Sequence, residues 1–337
     1  MESPTAPAAG HLAGSSAAPR NTPDGAAHPE QGARAQPRGG LSHRLGDSRL
    51  GDYLLVLPAA IFILATVLYP IIYTVNLSLY DVDIKNFLAG NAPFIGLENY
   101  RQTLADAAFQ RSFVVSLTYT AASLLLTFVG GLGLALLFNR TFLGANTLRA
   151  LILLAWILPS VVSGNIWRWL LDGSNGIVNF VLMQLRLLGR PVFWLTESET
   201  AMSGVVLATA WTSIPFAMVL LLAGLQGIPV SLYEAASLDG AQPWRRFLDI
   251  TLPMMRPVIL VVLLMNFIYT FKTFDTVFIM TGGGPGDATT VLPIYAYTVG
   301  FSFFKLGEGA VATTLLLIIP LVLSLVYFRV SRDEESA

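Results

Sequence analysis

Four polar residues interrupt one of the long apolar segments of the chain at a spacing that indicates a shared role. They are Asn266, Tyr269, Thr270 and Thr273. Because an α-helix has 3.6 residues per turn, the i, i+3, i+4, i+7 spacing places all four side chains on one helix face. Amide and hydroxyl groups both donate and accept hydrogen bonds. This polar stripe therefore predicts a hydrogen-bonding surface within a membrane.

A second group, Thr212, Ser213 and Phe216, surrounds Pro215 in the preceding apolar segment, where we expect the proline to break the helix. Two interpretations of both groups stay open. The polar residues could hold helices together by hydrogen bonds, each worth about 0.6 kcal/mol in a membrane. They could instead bind a sugar through its hydroxyl groups, with Tyr269 or Phe216 against its apolar face.

Charged and metal-binding residues offer little catalytic chemistry here. Lys272 and Asp275 lie three apart on the predicted helix, so we expect an ion pair that lowers the cost of both charges. A proton relay is the alternative, but no His or second carboxylate lies nearby. The histidines, His11, His28 and His43, all precede the apolar segments, and the chain has no cysteine. We therefore predict no metal site, no cofactor and no enzymatic activity on this chain itself.

The composition is that of a membrane protein, with 54% hydrophobic and 12% charged residues; soluble proteins have about 25% charged residues. The net charge of −1 argues against nucleic-acid binding. A membrane-spanning helix needs about 20 mostly apolar residues, and six stretches qualify. These predict an all-α polytopic membrane protein with its spans between residues 50 and 330. The predicted spans are 53–79, 112–138, 148–171, 201–226, 257–280 and 310–328.

The sequence also predicts close helix packing in the second span and a tail at each end of the predicted membrane domain. Gly130, Gly131 and Gly133 in the second span suit close helix packing. Residues 1–45 are rich in Ala, Pro, Gly and Ser, a composition that favours disorder, and residues 331–337 form a short polar C-terminal tail. Six spans place both termini on one side. That side is predicted to be the cytoplasm from the basic residues before the first span, Arg38, Arg44 and Arg49.

The most patterned polar stretch is the segment 227–256, between the fourth and fifth spans. Pro229 suits the first turn of a short helix, and Gly240 suits the left-handed residue that closes it. Pro243 can begin a second short helix, which we expect Leu252-Pro253 to end as the chain turns back toward the membrane. The segment predicts a rigid helix–turn–helix knob on a membrane domain.

The spacing in this knob is Glu234-Ala-Ala, three residues, Gly240, nine residues and Ile250-x-Leu-Pro253. It resembles the EAA loop of permease subunits in binding-protein-dependent ABC importers, in which the loop is the coupling helix that docks on the ATP-hydrolysing subunit. The resemblance implies the type I ABC importer permease architecture. ATP and Mg²⁺ would then bind to partner subunits, since this sequence contains no P-loop. The residues to which the resemblance assigns ATPase coupling are Glu234, Ala235, Ala236, Leu238, Asp239, Gly240 and Pro253.

Segments predicted to lie on the external side narrow the resemblance to carbohydrate-type permeases of the maltose, glycerol-phosphate and trehalose type. They are residues 94–100, 176–179, 193–195 and 280–290. The Gly-rich part of the last segment is expected to be a hinge or a docking loop. In maltose-type relatives the substrate contacts come from the two helices that flank the coupling loop. The resemblance thus favours a substrate path formed by Thr212, Ser213, Phe216, Asn266, Tyr269, Thr270 and Thr273.

The resemblance also implies partners: a second permease subunit, two ATP-binding cassette subunits and an extracytoplasmic sugar-binding lipoprotein. The chain would import a sugar across the bacterial inner membrane by alternating access. Three alternative functions make different demands. Glycerol-3-phosphate as substrate would need a basic residue, for which Lys272 is the candidate. Inverted repeats and a cluster of intramembrane carboxylates would favour a stand-alone secondary transporter, and the sequence shows neither. A membrane transferase would need an acid–base pair, and no loop carries a convincing one.

Overall fold

A computed structural model of the chain describes residues 49–335. The predicted tail over residues 1–45 therefore lies outside the described residues. The chain divides into two compact units between residues 60 and 61. The described part is helical, and the helices before the fourth span are α1 (Arg49–Ile63), α2 (Tyr69–Leu77), α3 (Ile84–Ala89), α4 (Glu98–Ala105), α5 (Ala107–Phe138), α6 (Ala145–Ile157), α7 (Ser160–Leu170) and α8 (Ile177–Gln184).

The second half of the chain contains the fourth to sixth spans and the helices between them. The last helix runs to Glu335, into the segment predicted as a tail. The helices are α9 (Ser198–Gln226), α10 (Val230–Leu238), α11 (Pro243–Arg246), α12 (Leu252–Phe271), α13 (Asp275–Met280), α14 (Leu292–Tyr297) and α15 (Leu306–Glu335).

The described residues contain five helices that are long and apolar enough to cross a membrane: Leu55–Leu77, Ala107–Phe138, Ser198–Gln226, Pro243–Phe271 and Leu306–Arg329. The third predicted span corresponds to α6 and α7, which meet at 101°. The bend falls at Leu158-Pro159, where Leu158 is extended with ψ 134° because a following proline disfavours the helical conformation. With this bent pair as one span the number is six, as predicted.

The fifth span differs from its predicted extent of 257–280. Its helix begins at Pro243 and ends at Phe271, and α13 starts only at Asp275. Lys272, with φ −95° and ψ 5°, is the last residue of the turn that ends the helix. The end of α12, the start of α13 and two charged residues, Lys272 and Asp275, therefore all lie at this break.

Two prolines behave differently from their predicted roles. Pro215 lies inside α9, which continues through it, so the expected break is absent from this helix. Pro253 does not end a helix either, because α11 continues into α12 through a π-helical turn, Phe247–Thr251. An interior proline clashes with a carbonyl in the preceding turn, and the wider π-helical turn directly before Pro253 relieves that crowding.

Close packing of α5 against α9 forms the centre of the membrane domain. A Cβ atom on Gly131 would lie 2.8 Å from Ala217 Cβ, and one on Gly130 would lie 2.7 Å from Ile214 Cδ1. Both glycines thus permit a close approach of the two helices, as predicted. Gly133 does not, because it faces open space.

Candidate functional site

A cavity of about 600 Å³ lies where α9 and α12 face the bend between α6 and α7. Two residues at the start of α13, Asp275 and Thr276, also line it. The two polar groups singled out in the sequence meet here, although 50 or more residues separate them in the chain. The cavity is lined by all seven predicted substrate-path residues, Thr212, Ser213, Phe216, Asn266, Tyr269, Thr270 and Thr273.

Several polar groups in this cavity bond to backbone carbonyls three or four residues earlier in the chain. Thr273 is one of them, and it lies beyond the end of α12, so the predicted stripe has three residues on the helix and one after it. Asn266, which is buried, donates from Nδ2 to the carbonyl of Val262 at 2.9 Å. Thr273 donates to the carbonyl of Tyr269 at 2.9 Å, and Thr212 donates to that of Thr209 at 2.8 Å. These bonds leave the acceptor sites of Asn266, Thr273 and Thr212 available to another molecule.

Three further hydroxyl groups of the cavity have no hydrogen-bond partner within residues 49–335. They belong to Ser213, Tyr269 and Thr270. Thr270 is only 4% exposed. All three hydroxyls border the cavity, so they can bond to water or to a polar molecule that enters it.

An aromatic wall, formed by Trp156, Phe216 and Tyr269, borders the polar groups. The rings of Trp156 and Phe216 stack with centroids 5.5 Å apart, and Tyr269 meets Phe216 edge-on at 6.5 Å. Tyr269 is 57% exposed despite its position in a membrane domain. Flat apolar faces beside hydrogen-bonding groups match the two faces of a sugar ring.

Lys272 and Asp275 both line the cavity, but the ion pair predicted between them is not formed. The Lys272 ammonium lies 5.1 Å from the centroid of the Tyr269 ring, and Asp275 Oδ2 accepts a hydrogen bond from Ser160 at 3.0 Å. The pair is lost because the helix ends between the two residues, which removes the one-turn spacing on which the prediction depended.

Sequence reasoning missed the contribution of the third span to this cavity. Trp156 lies in the last turn of α6, Leu158 directly follows that helix, and Ser160 and Ser163 lie in the first turn of α7. Pro159 was the available signal, since a proline in a span marks a place where the helix can bend. Thr209, Phe274 and Thr276 complete the lining and carried no pattern that could be recognised in the sequence.

The knob has the predicted helix–turn–helix form. At the end of α10 the amide of Gly240 bonds to the carbonyl of Ser237 at 3.1 Å, and that of Ala241 bonds to the carbonyl of Ala236 at 2.9 Å. These are the two bonds of a Schellman motif. Gly240 has φ +78°, the predicted left-handed conformation.

The surface of this knob is exposed and partly apolar. Leu238 is 89% exposed and Trp244 is 68% exposed. Glu234, Ala235 and Asp239 are exposed as well, whereas Ala236 is half-buried. Large exposed apolar side chains rimmed by charges are typical of a surface that binds another protein.

On the opposite loops, a second cavity of about 770 Å³ is bordered by the Gly-rich segment and by α14. Tyr295 donates to Asp106 Oδ2 at 2.8 Å, and burial together with this carboxylate raises the pKa of Tyr295 above its usual range. Gly282, Gly283 and Gly286 have positive φ values, a conformation that favours glycine. Within the described residues, no group of three or more His, Cys, Asp and Glu residues could hold a metal ion.

Comparisons with known proteins agree with this architecture. Residues 127–332 match the family model described as binding-protein-dependent transport system inner membrane component. The trehalose/maltose transport system permease protein MalF of Thermococcus litoralis is 36% identical over 85% of this chain and 95% of its own length. The sulfoquinovosyl glycerol transport system permease protein SmoG of Agrobacterium fabrum is 36% identical over 86% of this chain and 93% of its own.

A solved structure shows the same fold. It is a bacterial ABC transporter involved in the import of the acidic polysaccharide alginate. One of its chains is 25% identical to this one with a TM-score of 0.70, over 83% of this chain and 94% of its own. This chain therefore belongs to the family of binding-protein-dependent transport system inner membrane components and is a multi-pass permease subunit of the ABC importer type.

Proposed function

We propose that this chain is one of two permease subunits of an ATP-driven sugar importer, and that the cavity between α9 and α12 is part of its translocation path. The observation that carries the proposal is the set of three unpartnered hydroxyls, those of Ser213, Tyr269 and Thr270, beside an aromatic wall. Sugars present many hydroxyl groups around an apolar ring face, and both features have counterparts here.

The hydrogen bonds in this region also bear on the alternative that the stripe only joins helices. Asn266 donates to a carbonyl of its own helix, and Thr273, just beyond the end of that helix, donates to the carbonyl of Tyr269. Thr273 is the member that also approaches a side chain of another helix, the buried hydroxyl of Tyr119. A stripe that served only as glue would be expected to direct most of its polar groups to neighbouring helices. The arrangement favours a ligand.

The names of relatives support a carbohydrate substrate. The two permeases at 36% identity are named for trehalose or maltose and for sulfoquinovosyl glycerol, and the structural relative is described as an importer of alginate. All of these substrates contain sugar rings. A ring that carries several hydroxyl groups is common to these substrates, and the cavity lining offers hydrogen-bonding and aromatic groups for such a ring.

Transport would proceed by alternating access with four kinds of partner: a second permease subunit, two ATP-binding cassette subunits that bind ATP and Mg²⁺, an extracytoplasmic sugar-binding protein and the sugar. The exposed face of the knob, with Glu234, Ala235, Leu238 and Asp239, would dock on an ATPase subunit. Both termini would then be cytoplasmic. Each partner shifts the balance between inward-open and outward-open states only by its different affinity for the two.

An anionic substrate such as glycerol-3-phosphate is the second candidate, because Lys272 lines the cavity and forms no ion pair with any side chain that the structure describes. Asp275 lines the same cavity and would oppose an anion. The two charges balance, which favours a neutral sugar.

The test is uptake by cells that lack this chain, complemented with the wild type or with Thr270→Val. This substitution removes an unpartnered hydroxyl at nearly constant volume. We expect uptake of trehalose or maltose to return with the wild type and to fall about fivefold with Thr270→Val, as for one lost hydrogen bond. Thr118→Val is the matched control, because Thr118 is exposed and bonds to Val114 of its own helix.

The same assay separates the two candidate substrates. Complementation that restores uptake of glycerol-3-phosphate, and of no sugar, would replace the first candidate by the second. Equal effects of Thr270→Val and Thr118→Val on sugar uptake would contradict the placement of the substrate in this cavity.

A further inference from the structure

The knob is joined to the membrane domain by a closed ring of hydrogen bonds that passes through four residues. Tyr233 and Ser237 lie on α10, Arg246 directly precedes the π-helical turn that leads into α12, and Thr251 ends that turn. The ring connects the helix that carries the exposed docking face to the helix that carries the polar stripe.

Each link of this ring is defined by geometry. The Ser237 hydroxyl donates to the carbonyl of Tyr233 at 2.6 Å and accepts from Arg246 Nη1 at 2.7 Å. The Thr251 hydroxyl donates to the carbonyl of Arg246 at 3.4 Å and lies 2.9 Å from the Tyr233 hydroxyl. Since Thr251 has one proton to give, Tyr233 is the donor in the last bond.

Two members of this ring, Tyr233 and Thr251, lie in partly buried surroundings that restrict their movement. Thr251 is 5% exposed, and Tyr233 packs against the buried cluster that contains Met218, Leu221 and Met255. The ring therefore lies on a fixed base at the cytoplasmic end of the bundle. The two bonds of Thr251 are partly buried, whereas the two bonds of Ser237 are exposed. The bonds of Thr251 therefore compete less with water than the bonds of Ser237 do.

The π-helical turn lies between the knob and α12, so the ring bears on how movement passes from one to the other. Such turns are single-turn irregularities that occur at functional sites. This one interrupts the regular ladder between the knob and α12, and a helix can yield at such a point. The bond from Tyr233 to Thr251 crosses the interruption, so a displacement of α10 reaches α12 by a route other than the covalent chain.

We propose that Tyr233 and Thr251 are positioning residues for energy coupling, and that their hydrogen bond transmits movement of α10 to α12 and thereby to the cavity. This inference rests on the proposed function, since it needs an ATPase subunit that moves the knob. The ring does not include the docking face, because Glu234 and Leu238 are exposed and make none of its hydrogen bonds.

The chain contains no cysteine, so a single introduced thiol is the one maleimide-reactive cysteine that it contributes, and the partner subunits are used in cysteine-free form. The experiment uses the full complex with its ATPase and second permease subunits, with Thr273→Cys in this chain as the reporter. The rate of labelling by a small water-soluble maleimide is measured with and without ATP and vanadate. ATP hydrolysis and the melting temperature are measured on the same samples.

In the reporter background, ATP and vanadate should change the labelling rate. Tyr233→Phe and Thr251→Val each remove one hydroxyl and keep the shape of the side chain. Either should reduce that change about fivefold, as for one lost hydrogen bond, while ATP hydrolysis continues. The double variant should do no more than either single one, since both break the same bond. Thr251→Ser, which keeps the hydroxyl, should restore the change.

Ser231→Ala is the matched control, because Ser231 lies on the same helix, is exposed and has no hydrogen-bond partner within the described chain. A full nucleotide-dependent change in Tyr233→Phe or Thr251→Val would overturn the inference, and so would additive effects in the double variant. If the reporter without other changes shows no response to ATP, or no ATPase subunit assembles, the proposed function fails instead.

Discussion

The cavity and the knob differ in which kind of group each leaves unpaired. In the cavity, polar side chains lie among apolar helices, and the hydroxyls of Ser213, Tyr269 and Thr270 are left without partners among residues 49–335. In the knob, the backbone is closed by a Schellman motif and by a ring of side-chain bonds, while apolar side chains such as Leu238 point outward. The cavity therefore has polar groups available for hydrogen bonds, and the knob has apolar surface available for contact.

This contrast shows what each region is prepared to bind. Unpartnered hydroxyls and half-exposed aromatic rings suit a small polar molecule that enters and leaves, since tight internal bonding would compete with it. An exposed apolar face on a rigid support suits a protein surface, because ordering costs have been met before binding. Substitutions should therefore act differently in the two regions.

The largest effect is expected from Gly240→Val. Gly240 has φ +78° and no atom within 4 Å of a built Cβ, so the effect would come from backbone strain alone. Such strain costs roughly 1–3 kcal/mol, and its relief would reset the knob. Sugar-stimulated ATP hydrolysis by the reconstituted complex should fall to background, with membrane insertion unchanged.

Gly240→Asn is the control for that prediction, because asparagine tolerates the left-handed conformation better than other side chains. It should keep most of the stimulation. Wild-type stimulation in Gly240→Val would mean that this loop does not couple ATP hydrolysis to transport.

An intermediate effect is expected in the cavity. Asn266→Leu and Tyr269→Ala remove hydrogen-bonding groups that line it, and each should lower sugar uptake about tenfold, within the roughly 1–3 kcal/mol of a lost buried partner. The melting temperature of the purified complex should change little, because neither side chain bonds to another helix in the described chain.

Val261→Ala and Ile268→Ala are the matched controls, since both residues lie on the opposite face of α12 and outside the cavity lining. They should affect stability before uptake. If a stripe variant has a lowered melting temperature and normal uptake per folded complex, the stripe serves helix packing. The contrast between the cavity and the knob would then not hold.

The smallest effect is expected from Trp156→Ala. Its ring stacks on Phe216 at 5.5 Å and supports the aromatic wall. An aromatic pair is worth about 0.5–1.5 kcal/mol, so uptake should fall roughly threefold, which radiolabelled sugar uptake at limiting concentration can measure. Trp169→Ala is the control, because Trp169 is 76% exposed and lies outside the cavity lining. Equal losses in both variants would show that the wall does not contact the substrate.

Much of the fold followed from the sequence, and the failures have physical causes. Hydropathy and length indicate the spans because a helix must satisfy its backbone within the membrane. The expected break at Pro215 and the expected stop at Pro253 were wrong, since packing and a π-helical turn accommodate these residues. Pro159, in a similar apolar setting, does bend its span by 101°. Local sequence does not distinguish the three.

Sequence patterns were sufficient to predict the membrane class, the face of α12 that carries Asn266, Tyr269 and Thr270, and the left-handed turn at Gly240, but not that the helix ends before Thr273. Each of these depends on residues within about one to five helical turns, where helix geometry and backbone sterics are decisive. The folded structure was needed to show that Thr212 and Asn266 line the same cavity, that Trp156 joins them, and that Lys272 and Asp275 do not pair. Such relations depend on how distant helices pack and where they end, and the packing of the whole bundle sets both.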